Sequence, residues 1–220
     1  MATKADNTGA FRRYVVEFIG TFFFLVAICM SVQQGLGQFA PVAIGVMLMV
    51  MVYAGGPISG GHYNPAVSLA AYLRGALHIS DLLPYIVAQV LGGTLASMLA
   101  GFLITSIGGA EPTPKELDVV PSLIGEFLGT FALVYVILNV ATSKRSAGNS
   151  YFGISIGFTV MTCAYIFGGI SGGAFNPAVA LGITMAGLTS WASIWIFIVA
   201  NFVAGALAAF LFQYVNGPEA

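Results

Sequence analysis

The chain has 220 residues, 58% of them hydrophobic and only 7% charged, with a formal net charge of −1 at pH 7. Soluble domains carry about 25% charged residues, so this chain lacks the polar surface that water requires, and its composition is that of an integral membrane protein. The near-neutral charge gives no support to nucleic-acid binding, and the length suits one domain of about six spans of ~20 residues each.

Met1 to Ala10 is polar, and the apolar run after Arg13 is long enough to span, so no cleavable signal peptide is expected. Lys4, Arg12 and Arg13 precede a first span over about Tyr14–Val32, and Gln33–Gln38 forms a short polar loop. A second span covers about Phe39–Tyr53, and a short helix over Pro65–Leu73 ends at Arg74. The third span is expected over about Leu82–Ile104. Thr105–Val119 is the one extended polar connection, with Glu111, Pro112, Pro114, Lys115, Glu116 and Asp118. A fourth span runs over about Val120–Val140, a polar turn at Thr142–Ser150 holds Lys144 and Arg145, and a fifth span covers about Tyr151–Phe167. The sixth is expected over about Trp191–Tyr214. Cys29 and Cys163 lie inside apolar runs and read as buried free thiols. Small residues at four-residue intervals, Gly93/Ser97/Gly101 and Ala200/Ala204/Ala208, would let helices approach closely in lipid.

One stretch occurs twice. Ile58 to Ala70 read ISGGHYNPAVSLA, and Ile170 to Gly182 read ISGGAFNPAVALG, so that Asn64-Pro65-Ala66 recurs as Asn176-Pro177-Ala178. In each copy two glycines free the backbone, Asn can cap a helix, and Pro suits a first turn where its missing N–H is no loss. The first helix, over Pro65–Leu73, would be roughly 13 Å long, about half of a hydrocarbon core. Two such half-helices could meet tip to tip near the middle of a bilayer. Glu17-Phe18-Ile19-Gly20-Thr21 likewise recurs as Glu126-Phe127-Leu128-Gly129-Thr130, at nearly the same offset as the motifs. Two landmarks in the same order indicate an internal duplication, over about residues 11–104 and 120–214. Three spans per half is an odd number, so the second half must enter the membrane inverted, a plan used by transport proteins. With the N-terminus inside, Lys4, Arg12, Arg13, Arg74, Lys144 and Arg145 face the cytoplasm and Lys115 alone faces out. The positive-inside rule therefore favours a multi-pass protein of the cell membrane with both termini cytoplasmic.

These paired motifs, each preceded by Ser-Gly-Gly and matched by a Glu in each half, resemble the major intrinsic proteins, the aquaporins and glycerol facilitators. The resemblance runs from Glu17 to about residue 214. It implies an all-α fold of six tilted spans and two re-entrant half-helices around one pore per subunit, normally in a homotetramer. It also implies passage of water and small neutral solutes, with no cofactor and no catalysis. Counting from the motifs places the family's four constriction positions at Ile44, Ala164, Gly173 and Val179. None of these is aromatic, charged or histidine. Water channels of the family typically place Phe, His and Arg there, and glycerol channels keep Arg with two aromatics. Here Val179 stands where Arg is usual, which predicts a wide apolar filter.

The residues support this reading by themselves. Two half-helix N-termini facing the midplane repel cations. If the Asn64 and Asn176 side-chain oxygens cap their own helices, their NH₂ groups are left as donors to a passing oxygen, which interrupts a proton-conducting water wire. Both could instead be caps and nothing more. Glu17 and Glu126 are ionisable groups within spans, where function is the default hypothesis. A carboxylate could accept from the irregular motif loops, or relay protons in a coupled transporter. His62 could line the pore or anchor its loop, and His78 and Asp81 look interfacial. The sequence shows no metal-ligand cluster, phosphate-binding glycine loop or nucleophile with a base. A strict water channel, a proton-coupled transporter and a junction protein without an open pore are the alternatives; solute flux without a proton gradient separates them.

Overall fold

The computed structural model describes residues 7–217. Lys4, one of the charges used to orient the chain, lies outside them. Eight α-helices are present among the described residues: α1 (Asn7–Gln33), α2 (Ala40–Ser59), α3 (Pro65–Arg74), α4 (Ile79–Ser106), α5 (Val119–Ile137), α6 (Phe152–Ser171), α7 (Pro177–Met185) and α8 (Ile194–Asn216). Six are long and apolar enough to cross a membrane, and α3 and α7 are the two half-helices. The outer surface is apolar, with Leu83, Phe102 and Val120 more than 60% exposed, as a lipid-facing surface demands.

Two spans run further than the sequence suggests. The runs expected to end at Tyr53 and Phe167 continue as helix to Ser59 and Ser171, through Gly55-Gly56-Pro57 and Gly168-Gly169. Glycine and proline do not stop a helix where no water is present to satisfy the freed backbone groups. The helices stop one turn later, where Gly60 (φ 91°) and Gly172 (φ 93°) take the left-handed conformation that glycine adopts without a Cβ clash. The fourth span loosens instead of ending cleanly: a π-helical turn over Leu138–Thr142 follows α5. Arg74, at the end of α3, donates to Thr142 Oγ1 (2.8 Å) and Thr142 O (2.7 Å), a side-chain substitute for lost ladder bonds.

The halves pack by one scheme. α1 lies on α4 and α2, and α5 lies on α8 and α6. Each half-helix leans on the last span of the opposite half, α3 on α8 and α7 on α4. α2 and α6 cross at the centre, where Gly45 and Gly157, separated by the motif offset, bring the two backbones together. A Cβ on Gly45 would lie 2.6 Å from the Gly157 carbonyl oxygen, and neither backbone can rotate away. We expect Gly157→Val to cost about 1–3 kcal/mol by overpacking, despite valine's lower backbone entropy in the unfolded chain. Thermal unfolding in detergent checks this; an unchanged or raised midpoint would mean that the two helices are not this close.

Candidate functional site

The site is built where α3 and α7 point their N-termini at each other. Asn64 and Asn176 sit in extended backbone (φ −157° and −164°) as the N-caps of these helices. Asn64 Oδ1 accepts from Ala66 N at 2.9 Å, and Asn176 Oδ1 accepts from Ala178 N at 2.9 Å and Val179 N at 3.3 Å. Pro65 and Pro177 occupy the first helical turns, where no N–H is needed, and Ala66 and Ala178 are buried with no bulk behind the caps.

The Asn amides are not wholly free. Asn64 Nδ2 donates to Phe175 O (2.9 Å) and Asn176 Nδ2 donates to Tyr63 O (2.8 Å), so each motif holds the other across the centre. An NH₂ group has two hydrogens, and one on each side remains for a permeating oxygen. Caps and pore donors are therefore compatible functions of the same two side chains. The carbonyls that receive these bonds belong to Tyr63 (φ 49°) and Phe175 (φ 48°), non-glycine residues in the left-handed region. Such a conformation costs about 1–3 kcal/mol and persists only where its surroundings hold it.

The glutamates do the holding. Glu17 accepts from His62 N (2.9 Å), Tyr63 N (2.7 Å), Ser59 Oγ (2.7 Å) and Gln89 Nε2 (2.8 Å). Glu126 accepts from Ala174 N (2.9 Å), Phe175 N (2.7 Å) and Ser171 Oγ (2.6 Å). Both carboxylates are fully buried. Saturation by donors from the irregular loops explains how they are tolerated there.

Sequence reasoning missed Gln89 and Asn201. They are separated by the same offset as the two motif asparagines and stand in the middle of α4 and α8. Gln89 Nε2 bridges Glu17 to Ser68 Oγ (2.9 Å). Asn201, with its amide oriented to match its neighbours, accepts from Asn176 N (2.6 Å) and donates to Phe197 O (2.8 Å) and Glu126 Oε2 (3.2 Å). Uncharged amides in apolar spans at the motif offset were the available signal.

Three cavities abut in series along this axis. On the side of Arg13 and Arg74, one of about 630 Å³ is lined by those residues with His62, His78 and Asp81; Arg13 pairs with Asp81 at 2.8 Å. It shares His62 and Ile137 with a midplane stretch of about 10 Å³ containing Asn64 and Asn176. That stretch has room for about one water, and its walls include Phe24, Leu48, Val67, Leu133, Ile156 and Val160. It shares Phe24, Val160 and Ala174 with a third cavity of about 250 Å³ on the opposite side. His62 thus borders the path and also anchors its loop, with Nδ1 3.1 Å from Ser68 Oγ and its ring against Tyr85.

Ile44, Ala164 and Gly173 line the third cavity together. Val179 is not among the residues that surround it, and is as buried (1% exposed) as Asn64 (3%) and Asn176 (2%). Of the three stretches, the one at the asparagines has the smallest volume. Cys29 and Cys163 are buried free thiols that face none of the three cavities.

Residues 3–212 match the family model described as major intrinsic protein. The chain is 38% identical to aquaporin NIP1-1 of Zea mays, over 94% of this chain and 77% of that one. It is 33% identical to the glycerol uptake facilitator protein-like 6 of Lactiplantibacillus plantarum, over 94% and 100%. The aquaglyceroporin structure from Plasmodium falciparum superposes with a TM-score of 0.80 at 22% identity, covering 95% of this chain and 98% of that one.

Proposed function

Since the chain belongs to the major intrinsic protein family, we propose that it is a passive channel for water and small uncharged solutes whose outer filter is wide and apolar. The observation that carries this is the series of three cavities passing between two half-helix N-termini and two asparagine amides. It is a multi-pass membrane protein and not an enzyme. Each α3 or α7 N-terminus contributes roughly half a positive charge at the midplane, which repels cations and protons. A water held there by an Asn64 and an Asn176 donor cannot accept from its neighbours, so the hydrogen-bonded chain is broken. Glu17 and Glu126 act in this reading as braces that hold the motif loops, since backbone, hydroxyl and amide donors of the protein itself occupy their oxygens. The positive-inside rule, applied to Arg12, Arg13, Arg74, Lys144 and Arg145, favours a cytoplasmic 630 Å³ cavity and an external Lys115. The family plan favours a homotetramer in the cell membrane.

The filter argument rests on bulk and charge. Ile44, Ala164 and Gly173 bring neither ring nor charge to the 250 Å³ cavity, and valine at position 179 adds neither. Size selection then falls on the midplane, where leucine, isoleucine and valine rotamers must yield to glycerol or urea. That space of about 10 Å³ is what favours the second reading, a strict water channel. Swelling of vesicles in water, glycerol, urea and larger polyols decides between them. We expect glycerol and urea to pass, and Val179→Arg to lower the size limit and any cation leak while water flux survives. An arginine at this buried position would extend its charged end into the nearest aqueous space. Exclusion of both glycerol and urea by the unmodified protein would overturn the wide-filter reading in favour of the second.

A further inference from the structure

The lining of the outer cavity carries no charged side chain, which leaves open what fixed field a solute meets on entry. The segment that joins the two halves answers this. Lys115 N donates to Leu188 O (3.0 Å), and Lys115 forms an isolated parallel bridge with Thr189. Thr189 in turn lies over Gly172, with its methyl 3.7 Å from the position of a Cβ there. The connection is therefore folded onto the end of α6, which is the wall of the outer cavity: Gly168, Gly172 and Gly173 all line it. The Lys115 ammonium reaches that wall and donates to Gly168 O (3.3 Å) and Gly169 O (2.5 Å).

We propose that Lys115 is the charge-selecting residue of the outer entrance, a fixed ammonium held at the rim from the neighbouring loop. The reading rests on the channel function above. Partial burial pulls the lysine's pKa below its usual range, while the two carbonyl oxygens that receive its N–H groups favour the charged form. No carboxylate among the described residues forms an ion pair with Lys115. Of the acids on its own loop, Glu111 lines a separate cleft with Gln33 and Met185, and Glu116 and Asp118 are exposed. In a passage with apolar walls a charge without an ion-pair partner acts over a longer range than in water. The entrance should thus disfavour cations and admit neutral and anionic solutes of the same size. The alternative is that Lys115 merely caps the last carbonyls of α6, as a cation at a helix C-terminus can.

The test uses urea and guanidinium, which are close in size and differ in charge, in vesicles containing the full chain. Lys115→Met should raise the guanidinium-to-urea flux ratio roughly tenfold, Lys115→Glu should raise it further, and Lys115→Arg should leave it as in the unmodified protein, with water flux retained throughout. An unchanged ratio in Met and Glu variants that still conduct water would overturn the proposal. So would an equal rise in all three variants, which is the signature of a cap and not of a charge. Should the Met and Glu variants fail to fold, the unmodified protein still decides. Its ratio should climb as ionic strength is raised from about 0.01 M to about 1 M, because screening shortens from ~30 Å to ~3 Å, and a flat response is contrary to a fixed charge. Loss of both water and urea flux in the unmodified protein would count against the channel reading itself, a result distinct from an unchanged ratio.

Discussion

Replacing Glu17 by Leu should unfold the protein or leave it without a formed pore. Leucine is close in volume, so packing is roughly kept, but four donors lose their acceptor: His62 N, Tyr63 N, Ser59 Oγ and Gln89 Nε2. Each buried donor left unpaired costs about 1–3 kcal/mol. Four of them approach the whole stability of an ordinary domain, about 5–15 kcal/mol. Tyr63 would also lose what holds its left-handed backbone, and its carbonyl is the acceptor for Asn176. Glu126→Leu should act alike through Ala174, Phe175 and Ser171. Gln in either place keeps one oxygen and sets an NH₂ against the remaining donors, an intermediate loss. The measurement is detergent-solubilised yield and thermal midpoint, ranked Glu above Gln above Leu. A stable Leu variant, or a Gln variant of normal stability that loses a pH-gradient-driven uptake, would replace the bracing role with a proton relay.

The second large effect is expected of the pair Asn64→Leu with Asn176→Leu. Both helix caps disappear, at about 1 kcal/mol each, together with the two reciprocal bonds to Phe175 O and Tyr63 O. The midplane stretch of about 10 Å³ would lose its donors and present an apolar wall on all sides, which water leaves. Water permeability should fall by an order of magnitude or more. Asn64→Asp with Asn176→Asp separates the two functions, since aspartate caps a helix as well as asparagine does but brings no NH₂ donor and adds charge. We expect that variant to assemble better than the Leu pair and still conduct poorly. Normal water flux in a folded Leu pair would remove these residues from the pore.

Much of this molecule is written locally. Six apolar runs, the Gly-Gly-Xaa-Xaa-Asn-Pro-Ala punctuation at Gly60 and Gly172, and a glutamate in each half are enough to place spans, half-helices and caps, because lipid admits only backbones that satisfy themselves. The pairing of Glu17 and Glu126 with the motif loops was also within reach, since a buried carboxylate must find donors and the loops must find acceptors. Other features depend on what the chain brings together from far away. That Asn64 gives a hydrogen to Phe175 and Asn176 gives one to Tyr63 follows only once the half-helices meet. Gln89 and Asn201 become braces because α4 and α8 pass behind the motifs, which no periodicity announces. The space at the asparagines is small because side chains from five helices and both motif loops converge there. Lys115 reads in sequence as one charge in a polar loop; only the fold sets its ammonium against the Gly168 and Gly169 carbonyls at the end of α6. Which groups need partners is determined by the sequence alone, since burial and capping are properties of short stretches. Which partners they receive is decided by packing, because those contacts join segments that lie far apart along the chain.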